Sequence, residues 1–366
     1  MEIFWSNYVS VGEKYNLESS EGFKSKIKEK LWDSAYQQHP NLVVWGDGKN
    51  ELLRNSLSNK KYNFDVFLFV VLTLGNYPEQ LNYARQVTAH RIIDSIQSFL
   101  ILIESKNYSA SGATLRLILE SISMLEKVLR KAKFSMSKIE KYLKQVESSQ
   151  DEAKKILSKV NEEFIEIEKD LNKLVSETFV DWPEYSKTGR LQEYKLKEDY
   201  FDPTPQMGYS KTISKMETTS KPHKGETWSM LYTFLCDFTH PSVGSRINGL
   251  DTEKSKIYKI GNVNMRKLVF SNISKPNKMV DDISTDLMYF SFDLLNLYVD
   301  VHESFEEIHK QIKRDSRKLL RITLKHIQKS NNSVIKQLKS TVKPYDPCIC
   351  FGEQKFKFCC GNTENW

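Results

Sequence analysis

Four of the five cysteines fall within thirteen positions, in Pro347-Cys348-Ile349-Cys350 and Phe358-Cys359-Cys360-Gly361, with the spacing C-x-C-x8-C-C. Four thiolates satisfy one tetrahedral Zn2+ and leave no coordination position for water or substrate, so the chemistry of such a set is structural. Residues 342–366 hold few large aliphatic side chains, and metal–ligand bonds would have to supply most of the folding free energy of this segment. Gly352 and Gly361 offer the permissive backbone that a tight knuckle needs. Phe356 and Phe358 are candidates to shield the thiolates, and Lys355 and Lys357 to offset their charge. The competing arrangement is a pair of disulfides. Its weakness is geometric, because vicinal Cys359 and Cys360 seldom bridge each other and Cys348 and Cys350 are awkwardly close.

These residues resemble the SEC-C motif, the zinc module found at the C-terminus of the SecA translocation ATPase and at the ends of many unrelated bacterial proteins. Pro347, Cys348, Cys350, Lys355, Phe356, Lys357, Cys359, Cys360 and Gly361 match its pattern, whereas Phe351, Gly352, Glu353 and Gln354 depart from its Gly-Ser-Gly-Lys part. The resemblance implies a metal-bound docking element with Cys348, Cys350, Cys359 and Cys360 as ligands.

A second set of polar residues sits within apolar helical patterns. Arg116 and Glu120 lie four apart among Leu115, Ile118, Leu119 and Ile122, while Tyr232, Asp237 and His240 belong to the stretch from Leu231 to Ser242. This pair of stretches is similar to a helical family of prokaryotic proteins distantly like HEPN domains. Many HEPN proteins are ribonucleases that cleave RNA without metal through an R-x4-6-H signature, typically across a dimer. The resemblance implies His240 as general base or acid, with an arginine stabilising charge on phosphate. Leu235 and Phe234 stand five and six before His240, so the arginine would have to be Arg246 or Arg116. Arg85 and His90 satisfy R-x4-H literally, a spacing that a surface helix produces by chance. Arg116 and Glu120 equally suit an i,i+4 ion pair that holds helices together, and His240 a helix C-terminus.

The net charge is +7, but residues 310–343 contain eleven Lys or Arg against Asp315 alone, a net of +10. Lys310, Lys313, Arg314, Arg317, Lys318, Arg321 and Lys325 recur at helical steps that confine them to one side, with Ile312, Leu319, Ile322 and Ile327 mainly opposite. A stripe of one sign fits the phosphate backbone of RNA or DNA, or an acidic protein. A solvated face explains it equally, although solvation alone would tolerate mixed charges.

The elements that must carry these residues are read from periodicity. Low Gly and Pro content, 14 and 10 residues, predicts an all-α protein: a multi-helix bundle with a coiled-coil-like arm and a small C-terminal zinc knuckle. Residues 1–60 form an N-terminal segment without a motif, 61–335 a helical domain and 342–366 the knuckle. Within the helical domain the spacing predicts helices over Phe64–Leu74, Glu79–Ser105 and Ser109–Lys133, broken at Gly75–Pro78 and Lys106–Tyr108. Residues 137–179 carry a narrow near-heptad seam, which fits one long helix or two helices in a hairpin around Ser148–Gln150, projecting as an arm or a homodimer contact, or one more bundle helix. Residues 181–226 read as a long loop, and a helix spans about 280–330.

No phosphate-binding glycine loop, H-E-x-x-H or G-x-S-x-G motif occurs, which removes support for ordinary ATPase, protease and hydrolase activities. Without a secretion signal or a membrane-length apolar run, the expectation is a cytoplasmic chain with no membrane partner. The function expected is a knuckle-bearing helical protein that docks nucleic acid or a protein. The resemblance places it in anti-phage defence or toxin-like growth arrest. The alternatives are a HEPN-like ribonuclease and a chaperone-like adaptor for acidic partners.

Overall fold

A computed structural model describes residues 1–37, 64–146, 208–239, 254–260, 263–267 and 278–330, together with 159, 163, 269, 336, 339–340, 342–346, 348, 354–359 and 362. The described chain is mainly α-helical. Helix α1 spans Glu2–Glu13, α2 Glu21–Ile27 and α3 Asp33–Ala35, with a π-helical turn, Lys28–Trp32, between the last two. Helix α4 is Phe64–Glu104, α5 Tyr108–Val146, α6 Tyr209–Ile213, α7 Trp228–Thr239 and α8 Lys278–Ser330. No helix among the described residues is long and apolar enough to cross a membrane.

The chain divides into two compact units. The first holds Met1–Gln37, Gln86–Lys127 and the described part of Met207–Glu303. Its N-terminal segment docks through aromatic residues: Tyr8 is fully buried with its hydroxyl 3.1 Å from Ser291 Oγ, and the Phe23 ring lies 4.3 Å from that of Phe292. Ser20 caps α2 by accepting from the Phe23 amide at 3.1 Å, as a serine in that position should. Leu287, Phe290, Leu294, Leu297, Tyr298 and Val301 of α8 are all buried, as their three- and four-residue spacing requires.

Part of the expected long loop is fixed to this unit. Asp300 accepts from the Thr219 amide at 2.9 Å and its hydroxyl at 2.8 Å, Asp293 accepts from the His223 amide at 2.6 Å, and the His223 ring stacks on Tyr289 at 4.6 Å. Burial raises the Asp293 carboxyl above the usual carboxylate range, against the pull of the His223 amide. Residues 181–207 of that loop lie outside the described residues.

An antiparallel hairpin, β1 Lys256–Ile260 and β2 Val263–Lys267, departs from the all-helical expectation. Its register runs from Lys256 opposite Lys267 to Ile260 opposite Val263.

The second unit, described over residues 64–85, 128–146, 159, 163 and from 304 onward, corrects two expected boundaries. The first correction is at Lys133–Ser137, where α5 continues without interruption. Val128, Leu129, Ala132, Met136 and Ile139 extend one buried face across the expected boundary. Lys138 then pairs with Glu163 at 2.6 Å and Lys159 lies 5.8 Å from the Tyr142 ring. Partners that descend in number as α5 ascends are in antiparallel register.

The second correction is at Pro78, which lies inside α4 although a proline ordinarily breaks a helix at a cost of about 3 kcal/mol. Tertiary packing offsets the local preference: Tyr77, Leu81 and Ala84 are buried, and His309 Nε2 donates to the Pro78 carbonyl at 3.0 Å. Burial lowers the His309 pKa, helped by the Arg85 and Lys313 charges and opposed by the Pro78 bond and Glu79. A folded-state pKa below the ordinary 6.5 means that neutral His309 favours the fold. Its contribution is full above that pH and is lost as pH falls through the folded value. Denaturant titrations at stepwise lower pH should therefore show a steeper loss of stability for the wild type than for His309→Gln, which keeps an N–H donor but does not titrate. Parallel pH profiles would rule this out.

Candidate functional site

Helices α5 and α7 bring Arg116, Glu120, Tyr232 and Thr239 together. Arg116 Nε donates to Glu120 Oε1 at 2.8 Å, Nη2 donates to the Tyr232 hydroxyl at 3.3 Å, and Nη1 donates to the Thr239 hydroxyl. Tyr232 in turn donates to the same Glu120 oxygen at 3.1 Å, and the guanidinium lies 5.3 Å from its ring centroid. The network is largely enclosed, the Arg116 and Glu120 side chains being 20% and 11% exposed. Burial, reinforced by the Glu120 charge, pushes the Tyr232 hydroxyl up to about 12, so it stays protonated and donating. Burial alone would lower the Arg116 pKa, but its bond to Glu120 and that carboxylate's charge outweigh the effect and raise it.

The close approach of the two helices depends on Gly112. A Cβ there would meet Phe238 ring carbons at 2.5 and 2.6 Å. Phe238 is 5% exposed and immediately precedes Thr239, so glycine at this point lets the end of α7 reach Arg116.

Arg116 and Glu120 are thus the i,i+4 pair that their spacing allows, with Tyr232 as a third member. Thr239 is the member that sequence reading missed; a hydroxyl at a helix end carries no pattern that singles it out. His240 and Arg246 lie outside the described residues. Arg85 and His90 each have other company. Arg85 is 8% exposed, donates to Asn82 Oδ1 at 2.5 Å and sits 5.3 Å from the Phe305 ring, whereas His90 packs edge-on against Tyr36 at 4.9 Å. An open groove of about 500 Å³ lies beside α7, lined by residues including Ser229, Met230, Thr233, Phe234 and Phe290. None of the candidate catalytic, metal-binding or cationic residues read from the sequence lines it.

The cationic half of α8 has a clear inside and outside. Phe305, Ile312, Ser316 and Leu320 are buried on one side. Lys310, Arg314, Arg317, Lys318 and Arg321 are exposed on the other, and Lys313 is partly exposed with Glu79 at 4.0 Å. Leu320 takes the inward position at which Leu319 was expected; the Leu319, Ile322, Lys325 and Ile327 side chains lie outside the described residues.

In the tail, backbone bonds join the segment before the first cysteine pair to the segment before the second. The Phe356 amide donates to the Asp346 carbonyl at 2.9 Å and the Lys357 amide to the Pro344 carbonyl at 2.8 Å. A 3-10 turn, Phe356–Phe358, leads into Cys359. Cys348 is 2% exposed and Phe356 3%, so a thiol and one ring turn inward together. Cys350 and Cys360 lie outside the described residues, and no group of three His, Cys, Asp or Glu converges among those described. A buried thiol and a pairing that aligns the two halves of a C-x-C-x8-C-C set both fit a four-thiolate zinc ion. Phe358 corrects the expected shielding role, for it is 54% exposed. Residues two apart on a 3-10 turn face different directions, so only one of the two rings can point inward.

A family model described as a family of unknown function (DUF5677) matches residues 87–257, and the chain is similar to it over that span. Arg116, Glu120, Tyr232 and Thr239 all fall inside the match, whereas the cationic end of α8 and the cysteine-rich tail fall outside it. No curated protein and no solved structure matches the chain.

Proposed function

We propose that this protein docks nucleic acid through the cationic side of α8, with a zinc knuckle held by Cys348, Cys350, Cys359 and Cys360 fixing the shape of the tail that follows. Zinc supplies a structural node there and no reaction. The observation that carries the proposal is the separation of sides on α8: Lys310, Arg314, Arg317, Lys318 and Arg321 are exposed, Arg314 with Asp315 at 3.5 Å, while the described residues buried opposite them, Phe305, Ile312, Ser316 and Leu320, are uncharged. A stripe of one sign gathers phosphates by releasing their condensed counterions, an entropic gain that weakens as salt is added. The Arg116 network supports a framework role in this reading, because the Glu120 carboxylate already balances the guanidinium that a reacting phosphate would need.

The test is binding of a labelled mixed-sequence single-stranded RNA across a salt series, with polyglutamate as the acidic-protein probe. Affinity for RNA should fall linearly with salt on logarithmic axes. Arg317→Glu combined with Lys318→Glu and Arg321→Glu should weaken it on the order of a hundredfold and flatten the slope by about 2. Unchanged RNA affinity in the triple variant defeats the proposal, and binding of polyglutamate in preference to RNA points to an acidic protein instead.

A further inference from the structure

Two aromatic rings stand out on the tail. Tyr345 is 63% exposed and Phe358 54% exposed, and their centroids lie 6.4 Å apart at an interplanar angle of 65°. The Lys357 ammonium serves both, lying 5.6 Å from the Tyr345 ring and 5.8 Å from the Phe358 ring. Lys343 and Lys355 are exposed nearby in the chain. The one described acid among them, Asp346, accepts from the Lys343 amide at 3.1 Å. Leaving an aromatic ring in water forfeits hydrophobic free energy; the 3-10 turn that buries Phe356 turns Phe358 outward beside Tyr345, so the two exposed rings lie on one side of the described tail.

Two exposed rings bracketing a lysine fit an occupant with a flat ring and a negative charge in the same repeating unit. A nucleotide has both: its base stacks on an aromatic face, and its phosphate meets the ammonium beside that face. In a duplex the base faces are already stacked, so only an unpaired strand offers them. An acidic peptide would use the cations but gain little from the rings, and an apolar protein surface would use the rings but lose the hydration of three lysines.

We infer that Tyr345, Phe358 and Lys357 form a stacking platform for the bases of single-stranded nucleic acid. The inference rests on the proposed phosphate contact by α8 and adds strand selectivity to it. The α8 stripe supplies affinity for the phosphates of either form, with no preference for the single strand, and the platform supplies the preference for unpaired bases.

The experiment uses the zinc-loaded full chain with a single-stranded RNA and a duplex of the same length at one salt concentration. The single strand should bind at least about tenfold tighter than the duplex. Tyr345→Ala with Phe358→Ala should remove that preference through about a tenfold or greater loss on the single strand, leaving duplex affinity, salt slope and zinc content unchanged. Phe358→Tyr should retain the preference, because any aromatic face can stack. Equal affinities of the wild type for the two RNAs, or an intact preference in the alanine variant, overturns the platform while leaving the α8 contact standing. An alanine variant that loses both RNAs equally also overturns it. Binding of neither RNA by the wild type overturns both, and a variant that loses polyglutamate rather than RNA reassigns the rings to a protein partner.

Discussion

Stripping the proposed zinc ion from the intact chain is expected to make residues 342–366 sensitive to trypsin while α4, α5 and α8 keep their helical signal. The reason is the size of the tail's buried core. Among its described residues only Cys348 and Phe356 are buried. Enclosing a phenylalanine is worth about 1.5–3 kcal/mol. Fixing the backbone of a single residue costs about 1–2 kcal/mol, so that one ring cannot order even a few residues. A structural zinc ion contributes roughly 10–16 kcal/mol of apparent binding free energy in comparable small modules, which is enough to decide the fold. Cys359→Ser should act as chelation does, because a hydroxyl is a poor substitute for a thiolate donor and Cys359 follows directly on the turn that brings Phe356 inward. Cleavage after Lys355 and Lys357, together with metal content, reads the outcome. A tail that stays protected without zinc, or cysteines found bridged to one another by mass spectrometry, would end the zinc assignment. Docking would then have to be explained by α8 alone.

The parts of this protein that could be read from sequence are those where one strong term dominates. The buried side of α8 follows from the spacing of Leu287, Phe290, Leu294 and Tyr298, because a helix that long has few other ways to hide them. Its cationic half was legible for the converse reason: desolvating several like charges together is too costly. Where local preference and tertiary packing disagree, the sequence misleads. Pro78 reads as a break only while the burial of Tyr77 and Leu81 and the bond from His309 are out of view, and all three involve packing that periodicity does not reveal.

The hairpin of β1 and β2 left little sequence signal, because Lys256-Ile257-Tyr258-Lys259-Ile260 does not alternate strictly between polar and apolar residues. With Lys256, Tyr258 and Lys259 exposed, it lacks the long apolar run that draws attention to a strand. The Arg116–Glu120 spacing was visible, but the convergence of Tyr232 and Thr239 on it depends on Gly112 meeting Phe238, a contact between residues more than a hundred positions apart.

That network should also be a sensitive point of the first unit. Glu120→Ala is expected to destabilise the protein by about 2–4 kcal/mol, because it leaves the Arg116 guanidinium largely enclosed without its counter-charge and deprives the Tyr232 hydroxyl of its acceptor. Removing one partner of a fully buried pair costs about 3–5 kcal/mol; with a fifth of the Arg116 side chain exposed, water recovers part of that. The double variant Arg116→Met with Glu120→Leu should be more stable than Glu120→Ala alone, since apolar side chains of similar length can fill the site with no charge left to solvate. Glu120→Gln should fall between, keeping an acceptor for Tyr232 without the charge. Urea unfolding monitored by circular dichroism measures all three. If Glu120→Ala unfolds at the wild-type midpoint, the pair is only a surface contact; if the double variant is worse than the single, the two residues act independently and the network is not a unit. The ordering expected here, Glu120→Ala least stable and the matched apolar pair recovered, is the signature of a charge held in place by its partner rather than by water.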